Sequence, residues 1–250
     1  MSSHLKKSSK DNDNRTDKGY LDELYNKGMD FFEEEEYQKA LALFQKLVSL
    51  SPNDADAWCF IGHILGISDK LKESLNSLNK SLKIKPNDTI ALTNKGVFLS
   101  RLGKHKEAMD IWDKLLKENP KDGIALLNKS DTLLYLGQYK ESVKVTEKVL
   151  KLHPNTVDAN CAWYNKGEAL LSMKKNSEAL AAFEKALKFD PKDSRAWYMK
   201  ARCLSRMNKK DQAIDALLVA TSTGPKNKAK IKNEPDFHPI RHLHRFKNLE

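Results

Sequence analysis

The chain has 250 residues, 40% hydrophobic and 31% charged, with 44 lysines and arginines against 34 acids and a net charge of +10. That composition is globular and excludes a disordered chain, because it holds enough apolar material to bury a core. No apolar run reaches the roughly 20 residues that cross a bilayer, and Met1–Lys18 lacks the apolar stretch of a secretory signal.

Cys59, Cys161 and Cys203 are far apart and form no C-x-x-C pair. Three such thiols point to reduced cysteines and a cytoplasmic location, and with no spanning run no membrane partner is expected. Only seven of the basic residues are arginine; the lysines are interleaved with glutamates along the chain. This is the pattern of a solvated surface more than of a nucleic-acid footprint.

In chain order, residues 1–19 are polar and are expected to form a disordered tail. From Leu21 onward prolines set a beat: Pro52, Pro86, Pro120 and Pro154 are 34 residues apart, Pro191 follows after 37 and Pro225 after 34. Counting back from each proline gives units over 21–54, 55–88, 89–122, 123–159, 160–193 and 194–227. Positions 4, 8 and 11 read Leu24, Gly28, Phe31 in the first unit and Trp58, Gly62, Leu65 in the second. The third has Leu92, Gly96, Leu99 and the fourth Leu126, Ser130, Leu133. The fifth has Trp163, Gly167, Leu170 and the sixth Trp197, Ala201, Leu204. Steps of four and three residues make one stripe of an α-helix. A second stripe at positions 20, 24 and 27 runs from Ala40, Phe44, Leu47 to Ala213, Leu217, Ala220.

Each unit is therefore expected to be two amphipathic helices, A and B. The small residue in the middle of the A stripe lets the two cross closely. Gly103 and Gly137 mark the A–B turn, and each proline ends helix B. The stripe tryptophans and phenylalanines read as core. The fourth unit is the weakest, with Ser130 and Thr146 at core positions, and the three extra residues after Pro154 are expected to lengthen a turn. Residues 227–250 read as a capping helix and basic tail, with Phe237, Ile240 and Phe246 covering the last unit. His238, His242 and His244 read as solvated, not as a metal site.

The 34-residue period, the W-x-x-x-G-x-x-L stripe and the closing proline resemble the tetratricopeptide repeat over Leu21–Lys226. The Glu234-Pro235-Asp236-Phe237 and Arg245-Phe246 segment is similar to one that closes many such arrays. The resemblance implies an all-α fold, a right-handed α-solenoid of six stacked antiparallel helix pairs. It implies a non-enzymatic scaffold or adaptor, without cofactor or metal, that binds a protein or peptide in a concave groove. Positions 2, 6, 9 and 13 of each helix A would line that groove.

On that stripe Asn94, Asn128 and Asn165 resemble an asparagine ladder that holds a peptide backbone, since a carboxamide both donates and accepts. Arg101 and Tyr135 lie on the same stripe. In the last unit Arg195, Arg202 and Arg206, with Tyr198 alongside, form a basic patch suited to an acidic segment. Pairing of Arg202 with Glu168 is the competing use of that charge. The opposite end carries Asp22, Glu33 and Asp56. The lysine and asparagine pattern of the chaperone-binding carboxylate clamp is absent.

No H-E-x-x-H, G-x-S-x-G or phosphate-cradling glycine loop is present, and His63 follows Cys59 by one turn without a third partner. No catalytic residue is expected. The alternative function is an RNA-binding helical repeat using the basic surface; only the last unit, with Arg195, Tyr198 and Arg202, interleaves arginine and aromatic residues as this requires. Self-association is a third outcome.

Overall fold

A computed structural model describes residues 18–154, 156–224 and 231–247. Most of the polar tail, Pro225 and the start of the capping segment lie outside the described residues. Among those described there is no strand. Twelve helices follow one another in pairs: α1 (Lys18–Glu33) with α2 (Tyr37–Leu50), α3 (Ala55–Ile67) with α4 (Leu71–Ile84), and α5 (Thr89–Arg101) with α6 (His105–Glu118). Then come α7 (Gly123–Tyr135) with α8 (Tyr139–Leu152), α9 (Val157–Ser172) with α10 (Asn176–Phe189), and α11 (Ser194–Arg206) with α12 (Lys210–Thr223). A 3-10 turn at Pro235–Phe237 and the short α13 (His244–Lys247) end the described chain. The fold is all-α, a solenoid of stacked helix pairs. It divides within α6 into two compact units, Met1–Ile111 and Trp112–Glu250.

The helix pairs cross where a side chain is missing. A methyl group added at Gly28 would lie 2.9 Å from the Phe44 ring; at Gly62 it would lie 2.6 Å from Leu78 Cγ, and at Gly167 2.7 Å from the Phe183 ring. Phe44, Leu78 and Phe183 are each 0% exposed. In the fourth pair Ser130 takes the glycine's place, and polarity is satisfied, not excluded. Ser142 donates to the Ser130 carbonyl at 3.0 Å, and Ser130 Oγ donates to the Leu127 carbonyl at 2.7 Å. Ser74 donates to the Gly62 carbonyl in the same way at 2.6 Å.

The helix starts obey a rule not drawn from the sequence above. Asp54, Asp88, Asp122 and Asp193 each stand two residues after a proline and accept from backbone amides of the first turn, at 2.8 Å for Ala57 and Ala91. These are N-caps for α3, α5, α7 and α11, each contributing about 1 kcal/mol. The A–B turns share one backbone conformation. Gly103 and Gly137 have φ of +74° and +71°, but Glu35, Asp69, Lys174 and Asn208 occupy the same left-handed region at the equivalent position.

Three expectations are corrected. The three extra residues after Pro154 do not lengthen a turn; they extend α9 by almost one turn at its N-terminus, so that it starts at Val157 and spans 16 residues. Trp58, Trp163 and Trp197 pack against the core but are only half-buried, at its edge. A lysine ammonium lies over each ring, Lys80, Lys166 and Lys200 respectively. The indole N–H groups of Trp58 and Trp197 donate to the carbonyls of Pro52 and Pro191, at 2.9 and 2.8 Å. Trp112, on a B helix, is the tryptophan that is 0% exposed, with its N–H on Thr132 Oγ1. Lys18 and Gly19, assigned above to the tail, belong to α1.

Left-handed backbone costs a non-glycine residue about 1 kcal/mol or more, against a smaller entropic cost for glycine. Lys174→Gly should therefore raise the unfolding free energy of the full chain by about 0.5 kcal/mol, and Gly137→Ala should lower it by about 1 kcal/mol. Urea melts followed by circular dichroism measure both; a loss of stability for Lys174→Gly would contradict the assignment.

Candidate functional site: the open face of the A helices

Within each unit the A helices lie against one another, α3 on α5 in the first and α7 on α9 on α11 in the second, so they form a layer of their own. Of stripe positions 2, 6, 9 and 13, the ends carry exposed apolar side chains, Ile67, Ile90, Ile124 and Tyr135, while position 6 is partly buried, as at Phe60 and Asn165.

In the first unit the layer has an aromatic floor. The half-buried Phe60 stacks on Phe44 at 5.0 Å and meets Phe32 edge-on at 5.3 Å. His63 meets Phe32 edge-on at 5.5 Å, and its Nδ1 lies 3.1 Å from Asn94 Oδ1. The Asn94 amide also donates to Cys59 Sγ at 4.0 Å. Asn94 is thus the third partner that the Cys59–His63 pair lacked. It does not make a nucleophile: burial, and then Asp88, push the Cys59 thiol up to about 11, so it is protonated at neutral pH. Arg101 donates to the Gly66 carbonyl at 2.8 Å and pairs with Asp69 at 3.0 Å. Ile67 and Ile90 are exposed.

In the second unit Ile124 and Tyr135 are exposed, at 57% and 66%. Asp131, some burial and Glu168 hold the Tyr135 phenol above its ordinary value. Burial, and next Asp131, raise the Glu168 carboxyl against the pull of Arg202 and Arg195. The Asn128 side chain donates to the Ile124 carbonyl of its own helix at 2.9 Å. Asn165 is 9% exposed and donates to Ser130 Oγ at 2.9 Å, so it joins α9 to α7 and offers no open rung of a ladder.

The expected basic patch is corrected most. Arg202 Nε donates to Asp236 Oδ2 at 2.7 Å and Arg206 Nε to Asp236 Oδ1 at 2.6 Å. Glu234 accepts from the Tyr198 hydroxyl at 3.1 Å and lies 3.4 Å from Arg202 Nε. Ser205 Oγ donates to the Asp236 carbonyl at 2.6 Å. Burial opposes the Arg202 charge, but Glu234 and Asp236 outweigh it and hold its pKa above the ordinary guanidinium value. The C-terminal segment of the same chain, not Glu168, thus pairs with Arg202. Phe237, Ile240, Phe246 and Ile231 are each 0% exposed and join one core with α11 and α12. Tyr198 is itself buried, edge-on to Phe237 at 5.5 Å. Only Arg195 of the three arginines stays well exposed, over the Tyr164 ring and beside Asp193. Both carboxylates were legible in the cap segment; what was missed is that they reach the arginines.

The family described as tetratricopeptide repeat matches residues 21–54, and that described as Psidin, N-terminal TPR repeats region, matches 68–165. The anaphase-promoting complex, cyclosome, subunit 3 family matches 136–220. The chain is a tetratricopeptide-repeat protein. Its fold is similar to that of a tetratricopeptide repeat protein from Parabacteroides merdae ATCC 43184, with a TM-score of 0.71 at 18% identity over 92% of this chain and 97% of that one. MamA from Desulfovibrio magneticus RS-1 aligns with a TM-score of 0.60 at 23% identity over 69% of this chain and 96% of its own. YrrB, described as a TPR protein with an unusual peptide-binding site, aligns at 0.54 and 21% identity, over 73% and 92%. No protein of curated function matches this tetratricopeptide-repeat chain in sequence.

No helix of the described residues is long and apolar enough to cross a membrane, and no cluster of three His, Cys, Asp or Glu suited to a metal occurs among them. Asp236→Ala should strand two partly buried guanidiniums and cost about 2–3 kcal/mol, between the limits for exposed and fully buried pairs. Melting of the variant tests this. A loss no greater than that of a surface carboxylate such as Glu107→Ala would show that the pairs contribute nothing.

Proposed function

We propose that this protein is a non-enzymatic scaffold that holds a protein or peptide partner on the open face of its A helices. One observation carries the reading. Six large hydrophobic side chains are exposed among the described residues, and four of them, Ile67, Ile90, Ile124 and Tyr135, lie at stripe positions 2 or 13 of an A helix. The other two, Phe189 and Leu218, lie on B helices. Apolar side chains kept in water along one functional stripe mark a contact surface.

In this reading there are six repeats, from 21–54 to 194–227, closed by the C-terminal segment, and the protein works in the cytoplasm. In the second unit Asn128 contacts the partner's backbone, with Tyr135 and Arg195 on the same face; in the first unit Asn94 and Arg101 are engaged within the fold and position that face. Asn165, Tyr198, Arg202 and Arg206 serve the protein's own packing, which removes most of the basic patch and with it the case for an acidic segment. It equally removes the arginine–tyrosine surface that RNA binding would need. Self-association through the same face is an alternative occupancy.

The test is affinity purification from cells with quantitative mass spectrometry. Two double variants, Ile67→Asp/Ile90→Asp and Ile124→Asp/Tyr135→Asp, are compared with the wild type, each shown by its melt to be folded. At least one double variant should lose partners by about tenfold or more, the loss expected when a charge enters an apolar contact. An unchanged partner set in both would place binding elsewhere.

A further inference from the structure

The first unit's A face carries a charge pattern opposite to that of the protein. The whole chain has a net charge of +10. On or directly bonded to this face, however, stand four carboxylates, Asp22, Glu33, Asp56 and Asp69, against two cations. Both cations are engaged. Lys85 lies 2.7 and 2.8 Å from the two Asp56 oxygens, and Arg101 holds Asp69 and the Gly66 carbonyl. Asp22 and Glu33, at the two ends of the α1 stripe, are exposed and make no ion pair among the described residues. The same face carries the aromatic floor of Phe32 and Phe60, and Ile67 and Ile90 are exposed at the C-terminal end of α3 and the N-terminal end of α5. Tyr25 of α1 meets Phe60 edge-on at 6.1 Å, and burial, then Asp56 and Asp54, hold its phenol above the ordinary value.

We infer that the A face of the first unit takes a peptide segment that is apolar along one side and carries lysine or arginine at its ends. Apolar residues of the segment cover Phe60, Ile67 and Ile90. Its cations meet Asp22 and Glu33, the carboxylates that lack a partner. An acidic segment meets two unpaired like charges on the stripe, Asp22 and Glu33. The distant lysines do not cancel this preference, because charges more than about 8–10 Å away are largely screened at physiological salt. Electrostatic complementarity of this kind selects the partner more than it adds affinity, and the apolar contacts supply the binding. The inference rests on the scaffold reading and adds the partner's chemistry to it.

A random peptide display library panned against the full chain at physiological salt separates the two claims. Peptides selected by the wild type should be rich in lysine or arginine together with leucine, isoleucine or phenylalanine. Synthetic copies should bind Ile67→Asp/Ile90→Asp at least about tenfold more weakly, and Asp22→Lys/Glu33→Lys about tenfold more weakly with an unchanged melt. Acidic or uncharged peptides that still depend on Ile90 would overturn the charge assignment and leave the scaffold reading standing. So would a dimer in solution that Ile90→Asp dissolves, since the occupant would then be a second copy. Peptides indifferent to Ile67 and Ile90, or none selected at all, would overturn both.

Discussion

The close crossing of helices A and B, made possible by a missing side chain, is the constraint on which the rest of the structure depends. Gly28, Gly62 and Gly167 each bring the backbone of one helix against a large residue sixteen positions later, Phe44, Leu78 or Phe183. A side chain at the glycine would force that partner out of its pocket. With the glycine in place, the large residue is wholly buried and the pair presents two fresh apolar faces for its neighbours. No pair is stable alone, so the array is held by repeat terms and interface terms together. Where the glycine is replaced, as at Ser130, hydroxyl–carbonyl bonds fill the crossing instead.

Because helix B is consumed in this crossing, helix A is left with one face turned away from it, and function follows from what stands there. The two units use that face differently. The first has an aromatic and isoleucine surface with acids at its ends. The second has Ile124 and Tyr135 near Asp131 and Glu168, and then the arginines of α11. Those arginines close the protein on itself. Asp236 bridges Arg202 and Arg206, while Phe237, Ile240 and Phe246 fill the apolar face that a seventh repeat would otherwise cover.

Much of this was legible from residue types and spacing. The helices, their pairing and the glycine crossings follow from a period that repeats in phase, because a missing side chain and a large one leave distinct marks. The aspartate caps left a clear mark too, an Asp two residues after four of the six prolines. Other features leave none. Glu35, Asp69, Lys174 and Asn208 adopt the left-handed turn without being glycine, since helix packing on both sides imposes it. The extra residues before Asn160 are helical because the added turn packs: Ala159 is 0% exposed and Asp158 lies against Gly123 of α7. A stripe position does not say how deep a large ring sinks: Trp58, Trp163 and Trp197 pack against the core with one face under a lysine. The asparagine stripe and the arginine patch failed in part for a common reason. A polar side chain on a functional stripe finds partners within the fold first, as Asn165 does with Ser130 and Arg202 with Asp236.

The crossing is tested most directly by a double-mutant cycle at Gly167 and Phe183. Gly167→Ala should destabilise the wild type by about 1–3 kcal/mol through overpacking. In a Phe183→Leu background the clash is relieved, and the same substitution should be neutral or stabilising by up to about 1 kcal/mol, the gain in helix propensity. An equal cost in both backgrounds would mean that the two residues are uncoupled and that something other than the glycine crossing holds the pair together.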